Sequence, residues 1–375
     1  MITTINNKHN KLNVPNLRFK EFQGEWEDFL INDVCSEFKS GKNIKADSVF
    51  ECGEYPVYGG NGLRGYTSSY NHEGSYVLIG RQGALCGNVR SVYGKTYITE
   101  HAIAVAGNEK SNTNFLHYLF LKMNLGQYSD QSAQPGLAVN KLLKLKVALP
   151  IISEQTKIAK LLSLLDERIA TQNKIIEKMQ TLIKGIVDST ILRKEKNAIV
   201  GDVCSISEQI RAEANIDDII TVRLHGNGVC KSSAENLQLG ATQYYRRRAG
   251  QLIYGKQNFH NGAIGIVPIS LDNGITSKDI PSFDIDEMKC NSVYLLAQLQ
   301  SPQYYKPAEA LTTGTGSKRL KEETFLKMPI VLPNKREQDN IATLIISISA
   351  NLDQAKKMLD LFSIQKQYLL RQMFI

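Results

Sequence analysis

The chain has 375 residues, of which 42% are hydrophobic and 22% are charged. This composition is typical of a globular protein with two or three domains, so wholesale disorder is excluded. No apolar run approaches the roughly 20 residues of a membrane span, and no secretory signal is recognisable. The six cysteines include no C-x-x-C pair, which argues against a disulfide framework and a structural zinc site. We therefore expect a cytoplasmic protein with no membrane partner.

The formal net charge is +8, from 45 Lys and Arg residues against 37 Asp and Glu residues. This excess is spread thinly along the chain and is not concentrated in one polybasic segment. It permits nucleic-acid binding but does not demand it.

Short elements of mixed type are predicted on both sides of the middle of the chain. Each half contains a β-branched or aromatic run typical of a buried strand, a longer apolar run typical of a helix, and a glycine-rich loop. The predicted strands are 75–80 and 252–254, the helices are 115–121 and 292–299, and the loops are 58–66 and 312–319.

One sequence signature occurs twice. Leu149-Pro150-x-x-x-Glu154-Gln155 is matched by Leu332-Pro333-x-x-x-Glu337-Gln338, and both are followed by the same apolar pattern. Fixed-distance similarity of this kind indicates an internal repeat. A second similarity, between residues 30–35 and 199–204, lies near the start of each copy. The chain is thus predicted to be a duplication with loop insertions in the second copy.

After each signature, apolar residues recur at alternating steps of four and three, which is the seam of a coiled coil. A helix over 158–190 would be roughly 48 Å long at 1.5 Å per residue, too long for one small domain to cover. We expect the two helices to pack antiparallel. The seam residues are Ile158, Leu162, Leu165, Ile169, Ile176, Met179, Ile341, Ile345, Ile348, Leu352, Leu359 and Phe362.

The expected fold is therefore of the α/β (α+β) class, with two globular domains separated by two long antiparallel coiled-coil helices in a pseudo-twofold duplication. The predicted segments are an N-terminal segment 1–17, a first domain 18–150, a central helix 151–195, a second domain 196–333 and a C-terminal helix 334–375.

No catalytic constellation is recognisable in the sequence. The acidic cluster Asp284, Asp286, Glu287 and Lys289 lacks the upstream strand of a metal-dependent nuclease and is interpreted as a solvated loop. The segment 310–318 has its glycines and lysine in the wrong order for a phosphate loop. An Asn-Pro-Pro-aromatic tetrapeptide, the active-site motif of amino-methyltransferases, is also missing. The chain is predicted not to be an enzyme and to hold no cofactor or metal.

The loops instead carry planar polar side chains suited to DNA. Arginine reads guanine, and glutamine or asparagine reads adenine, in the major groove. For each side chain the alternatives of phosphate contact and of simple solvation stay open. The candidate DNA-binding residues are Asn61, Arg64, Arg81, Gln82, Arg246, Arg247, Arg248, Lys256, Gln257, Asn258, Lys318 and Arg319.

These features resemble the specificity subunit of Type I restriction–modification systems. The resemblance rests on the repeated L-P-x-x-x-E-Q helices and on three segments similar to those of its target recognition domains, namely 26–30, 55–62 and 78–89. It covers nearly the whole chain, although the second domain differs from the first through most of its length.

The resemblance implies a non-catalytic subunit that reads a bipartite double-stranded DNA target. It also implies two methyltransferase subunits that bring S-adenosylmethionine and flip out the target adenine, and motor-nuclease subunits that use ATP and Mg²⁺. Two other functions stay open: a coiled-coil scaffold that joins two partner proteins without DNA, and a stand-alone nuclease.

Overall fold

The computed structural model describes residues 2–4, 13–130, 135–232, 242–314 and 318–375. The chain divides into two compact units. Unit 1 comprises Met1–Asn173 and Met358–Ile375, and unit 2 comprises Lys174–Lys357. In the described residues, no helix is long and apolar enough to cross a membrane.

Unit 1 is built on strands, and it also contains the first part of a long helix, α4. Its strands are β1 (Ile2–Thr4), β2 (Leu17–Phe19), β3 (Glu27–Leu30), β4 (Cys35–Ser40), β5 (Tyr55–Gly59), β6 (Gly62–Thr67), β7 (His72–Gly80), β8 (Val89–Ile98), β9 (Ala102–Gly107) and β10 (Lys146–Leu149). Its helices are α1 (Ile31–Val34), α2 (Thr113–Met123), α3 (Val139–Leu142) and α4 (Ile152–Val187), the last extending into unit 2.

Unit 2 has shorter strands and the start of the second long helix. The strands are β11 (Ala198–Ile199), β12 (Cys204–Ile206), β13 (Arg211–Ala212), β14 (Ile220–Val222), β15 (Val229–Lys231), β16 (Tyr244–Arg246), β17 (Leu252–Tyr254), β18 (Ile264–Ile266), β19 (Ile275–Ser277), β20 (Ser282–Ile285) and β21 (Pro329–Ile330). The helices are α5 (Ser292–Leu299), α6 (Pro302–Tyr305), α7 (Glu322–Leu326) and α8 (Lys335–Gln372), whose last turns belong to unit 1. The strands predicted at 75–80 and 252–254 and the helices predicted at 115–121 and 292–299 are confirmed.

The two units contain the same arrangement of four strands. In unit 1 the six-stranded sheet has the order β4-β9-β7-β8-β5-β6, and in unit 2 the four-stranded sheet has the order β12-β20-β17-β18. The pairs within β4-β9-β7-β8 and within β12-β20-β17-β18 are all antiparallel, while β5 joins β8 in parallel. Apolar helices cover each sheet because strands expose one face that must be buried.

A buried glutamine fastens each long helix to its unit. The Gln155 side chain accepts a hydrogen bond from Asn112 N at 2.8 Å and donates to the carbonyl oxygens of Lys110 and Pro150 at 2.9 and 2.8 Å. Asn112 in turn caps α2, since its side-chain oxygen accepts from the backbone N–H of Asn114 and Phe115. Loss of this glutamine would leave buried polar groups unpaired, so the residue type is required for structure.

The same contacts recur in unit 2. Gln338 accepts from Asn291 N at 2.8 Å and donates to the carbonyl oxygens of Lys289 and Pro333 at 3.1 and 2.8 Å. Asn291 caps α5 in the way that Asn112 caps α2. The repeated glutamine of the sequence therefore performs the same structural task in both units.

The acidic residue before each glutamine has a different environment in the two units. In unit 1, Arg18 and the fully buried Glu154 form a bidentate ion pair with N–O distances of 2.7 and 2.8 Å. In unit 2, the matching Glu337 is 40% exposed and pairs with Lys194. Removing one partner of a buried ion pair leaves an uncompensated charge in the interior. Loss of Arg18 should therefore destabilise unit 1 more than loss of Lys194 destabilises unit 2.

In both units, the start of one long helix packs beside the end of the other. Unit 1 buries Leu162 and Leu165 of α4 in one core with Leu369 of α8, and Lys366 forms an ion pair with Asp166 at 2.5 Å. The core of unit 2 places Val187 and Ile191 together with α8 residues from its first turns, and a π-helical turn, Asp188–Leu192, follows α4. Every predicted seam residue is buried or half-buried.

Candidate nucleic-acid interface

A tight hairpin turn presents Asn61 at the surface of unit 1. The turn joins β5 to β6, and Gly62 adopts a φ of +106°, which side-chain-bearing residues rarely adopt. A Cβ atom on Gly60 would lie 2.6 Å from the carbonyl oxygen of His101 and 3.3 Å from the Cα of Gly80. Glycine at position 60 therefore allows the turn to pack against the loop that follows β7.

That second loop begins at Gly80 and projects Arg81 and Gln82 from the end of a buried strand. Gly80 N donates to Asn88 O at 2.8 Å, Arg81 N to His101 O at 2.9 Å, and Leu137 N to Arg81 O at 2.9 Å. Arg81 is half-buried and Gln82 is exposed. The backbone of the loop is thus fixed while its side chains face outward, as a recognition surface requires.

The loop after β17 in unit 2 has the same three backbone hydrogen bonds. Gly255 N donates to Ala263 O, Lys256 N to Asp279 O, and Leu320 N to Lys256 O, each at 2.9 Å. The structure thereby matches Gly80-Arg81-Gln82 to Gly255-Lys256-Gln257.

The charges of the two loops differ. The side chain of Lys256 is only 12% exposed and pairs with Glu322 at 2.7 Å, so its ammonium group is neutralised within the protein. Gln257 and Asn258 are exposed beside it. The exposed side chains of this loop are therefore neutral amides, whereas the loop of unit 1 presents an arginine.

Arg247 does not lie at the surface, and the prediction that it contacts DNA is corrected. Its side chain is 0% exposed and donates to the side-chain oxygens of Thr276 at 2.7 Å and Ser282 at 2.9 Å and to Ile280 O at 2.9 Å. Burial lowers the pKa of Arg247 to about 10, which leaves it charged at neutral pH. The residue follows β16 and turns inward, so it holds three segments of unit 2 together.

Arg246 and Arg248, the neighbours of Arg247, are exposed but lie close to acidic side chains. Arg246 and Arg248 line a cavity of about 370 Å³ together with Glu208, Asp284 and Glu287. The carboxylates lower the positive potential that a DNA phosphate would meet here.

The last two predicted residues of unit 2 are also ion-paired. Lys318 approaches Glu309 at 3.5 Å, and Arg319 approaches Asp279 at 3.3 Å. Both side chains are about half exposed, at 61% and 46%. Residues 315–317 of the predicted glycine-rich loop lie outside the described residues.

The acidic cluster of unit 2 does not form a converging metal site. Asp284 lies on β20, not in the predicted loop, and accepts a hydrogen bond from the side chain of Gln251 at 2.9 Å. Asp286 accepts from Met288 N and pairs with Lys289. Within the described ranges, no group of three or more His, Cys, Asp or Glu residues could hold a metal ion.

Two residues at this surface were missed at the sequence level. Asn227 lies in the connection between β14 and β15, and the sequence Gly226-Asn227-Gly228 repeats the Gly60-Asn61-Gly62 triplet of unit 1 within a longer connection. The repeated Gly-Asn-Gly triplet was a usable signal. Arg90, at the start of β8, packs against the Asn61 turn, a contact that no local pattern predicts.

Comparison with known proteins supports the resemblance seen in the sequence. Residues 23–181 match the family described as the Type I restriction modification DNA specificity domain. The match spans less than half of the chain. The matched range contains the Asn61 turn, the Arg81 loop and most of α4.

Curated relatives have names that agree with the family. The Type I restriction enzyme EcoprrI specificity subunit of Escherichia coli is 42% identical over 154 residues, which are 40% of this chain and 38% of that protein. A putative specificity subunit of Haemophilus influenzae, S.HindORF215P, is 28% identical over 38% of this chain and 37% of its own length. The chain thus matches less than two fifths of the length of these two relatives. The MjaVIII specificity subunit of Methanocaldococcus jannaschii is 23% identical over 90% of both chains.

One solved structure resembles the complete fold. The S subunit of a Type I restriction-modification system from M. genitalium superposes with a TM-score of 0.70, at 14% identity, over 96% of this chain and 99% of that chain. At this identity the similarity concerns the fold alone. It supports the mixed helix-and-strand, two-domain architecture predicted from the sequence.

Proposed function

We propose that this chain is the DNA-recognition subunit of a Type I restriction–modification complex and has no catalytic activity of its own. The observation that carries the proposal is the loop that follows the matched strands β7 and β17. Three equivalent backbone hydrogen bonds hold it in both units, and one copy lies within the DNA specificity domain of residues 23–181. A rigid loop with exposed Arg, Gln and Asn side chains is suited to reading base edges.

Each unit reads one half of a bipartite target in this proposal. Unit 1 offers Asn61, Arg64, Arg81 and Gln82, a set that includes unneutralised arginines. Unit 2 offers the amides Gln257 and Asn258 at the loop that follows β17, where Lys256 is paired, while its exposed Arg246 and Arg248 lie beside carboxylates. Because the two units present different side chains, they would read different base sequences, so the two halves of the target differ.

The long helices form an antiparallel coiled coil that separates the two half-sites. Its support is the packing in both units of the start of one helix beside the end of the other. The repeated glutamine contacts and strand order support a pseudo-twofold duplication. The half-site centres are then near one DNA turn apart, roughly 34–36 Å.

Partner proteins supply the chemistry. Two methyltransferase subunits bring S-adenosylmethionine, and motor-nuclease subunits bring ATP and Mg²⁺. The long helices retain exposed apolar side chains outside their seam that suit protein docking, since large apolar patches mark interaction surfaces. These side chains are Leu164, Ile175, Leu182, Leu344, Ile346, Met358, Leu361, Ile364 and Tyr368.

Methylome sequencing of cells with and without this chain tests the proposal. The expected result is one bipartite adenine-methylation motif that disappears when the chain is deleted and returns with it. An unchanged methylome would contradict the proposal.

Electrophoretic shift of duplex DNA by the purified chain, with and without Mg²⁺, separates the remaining alternatives. A scaffold that does not bind DNA gives no shift, and a stand-alone nuclease cuts the DNA when Mg²⁺ is added. The proposal predicts a shift and no cleavage.

A further inference from the structure

We infer that Arg90 is a further DNA-contacting residue of unit 1, placed beside Asn61 by the glycine at position 62. The inference rests on the proposed DNA-recognition function and extends its surface by one residue. Arg90 is the second residue of β8 and is exposed.

The position of Arg90 is set by the sheet. It is paired with Leu78 on β7, two residues before the loop that carries Arg81. The carbonyl of Asn88, two residues before Arg90, accepts the hydrogen bond from Gly80 N that closes this loop. Arg90 therefore stands at the same end of the sheet as Arg81, on rigid backbone.

The guanidinium group of Arg90 lies against the Asn61 turn. A Cβ atom built on Gly62 would be 3.1 Å from Cζ and 3.3 Å from both Nε and Nη1 of Arg90. On the other side of the turn, a Cβ atom on Gly59 would be 2.9 Å from Cδ of Arg64. The side chains of Arg90 and Arg64 thus lie beside Gly62 and Gly59, the two glycines that bound the turn containing Asn61.

The arginines of this surface are not neutralised by the protein. Among the described residues, Arg64, Arg81 and Arg90 have no acidic partner within ion-pair distance. In unit 2, the candidate residues Lys318 and Arg319 do have such partners. Three unpaired guanidinium groups around two adjoining loops favour binding of a polyanion over a neutral or basic partner.

Unit 2 provides an internal contrast. At the second position of its matching strand β18 it has Gly265, where a Cβ atom would be 2.9 Å from Cγ2 of Val229 and 3.1 Å from the Cα of Gly228. The corresponding turn of unit 2 thus packs directly on the strand with no room for a side chain. Arg90 is therefore specific to the unit 1 surface.

The test is a selection of bound duplexes from a library with randomised base pairs, with the chain in complex with its methyltransferase partner. Arg90→Ala should weaken binding about 5- to 150-fold, the range expected for a bidentate arginine contact. If the contact is to a base, the loss is confined to one position of one half-site. If it is to a phosphate, the loss is uniform and the slope of log K against log[salt] falls by about 1.

Lys95→Ala is the matched control, because Lys95 lies on β8 as well and is exposed, yet stands over the ring of Tyr70 away from the turn. It should bind as the wild type does. Arg90→Lys retains a positive charge and should restore binding only if the contact is to a phosphate. Fluorescence of the single tryptophan, Trp26, which is buried in unit 1, verifies that each variant is folded.

The inference is overturned if folded Arg90→Ala selects the same sequences with the same affinity as the wild type. It is also overturned if Lys95→Ala lowers the binding affinity as much as Arg90→Ala does, since the loss would then come from the change in net charge. A wild-type complex that selects no sequence would instead contradict the proposed function itself.

Discussion

Arg81 and Lys256 occupy matched positions, yet among the described residues only Lys256 has an acidic partner within ion-pair distance. Arg81→Ala should therefore cost about 1–3 kcal/mol at a single base pair of the half-site read by unit 1. Lys256→Ala should leave base preference unchanged, because its ammonium group is already paired with Glu322. Methylation profiling of both variants measures the two effects, if the methylated fraction is determined for target sites that differ from the motif at one base pair. A changed motif in the Lys256 variant would show that its pair with Glu322 opens on DNA.

A second residue-level prediction concerns a polar cluster in the sheet of unit 1. His72 Nε2 lies 3.0 Å from Glu37 Oε1, and Tyr76 donates to Glu37 Oε2 at 3.3 Å. Burial alone would raise the pKa of Glu37, but hydrogen bonds and charges from Lys39 and His72 outweigh it and leave the pKa lowered. Because the folded state favours the carboxylate, the ionised form stabilises the fold above the unfolded pKa of about 4.3, and this stability is lost as the pH falls through the lower folded pKa.

Glu37→Gln should accordingly lower the free energy of unfolding by about 1–3 kcal/mol at pH 7, with the difference from wild type shrinking below pH 4. Urea unfolding followed by Trp26 fluorescence at pH 7 and at pH 3.5 measures this. Glu73→Gln, at an exposed position on β7, is the control and should have little effect. If the free energies of unfolding of wild type and Glu37→Gln differ equally at both pH values, the interactions lost in the variant do not depend on the charge of Glu37.

At the scale of single elements, the glutamine at the start of each long helix joins that helix to the loop that precedes α2 or α5. Gln155→Ala removes three hydrogen bonds and leaves buried backbone groups unpaired, so unit 1 should lose about 1–3 kcal/mol of stability. The midpoint of Trp26 fluorescence in urea reports on this unit. Gln365→Ala, at an exposed position of α8 within unit 1, should shift the midpoint by much less. An equal loss would mean that the three hydrogen bonds are not the cause, because alanine is the better helix former and helix propensity cannot explain a loss.

The long helices and the main strands were predictable because their signals are local. An apolar residue at every third or fourth position indicates the helical face, and runs such as 252–254 indicate a buried strand. The repeated Glu-Gln pair was also visible, although its role was not, since Gln155 acts through contacts with Lys110 and Asn112.

Apart from Asn227, whose Gly-Asn-Gly triplet was a usable local signal, the errors and omissions at the candidate site involve contacts between residues far apart in the chain. Arg247 is the second of three consecutive arginines, and no local sequence pattern indicates that it is the one whose side chain is buried. There it forms hydrogen bonds with Thr276 and Ser282. The pairing of Lys256 with Glu322 is equally invisible in the sequence. The sequence was enough to propose candidate residues, but their exposure and ion pairing required the fold, and their role in DNA binding stays a prediction.

At the scale of the whole molecule, the two long helices are proposed to act as a ruler between the half-sites. Four residues inserted after Gln172 add about 6 Å at 1.5 Å per residue, and should lengthen the non-specific spacer by about two base pairs at 3.4 Å each while both half-sites stay unchanged. Because four residues exceed half a heptad, the seam must absorb a stutter, and a matching insertion after Lys357 in α8 should relieve it. Both insertion points adjoin the division between the compact units. Methylation mapping of the single and double insertions decides the matter: a spacer of unchanged length in a DNA-binding variant would mean that the helices do not set the distance.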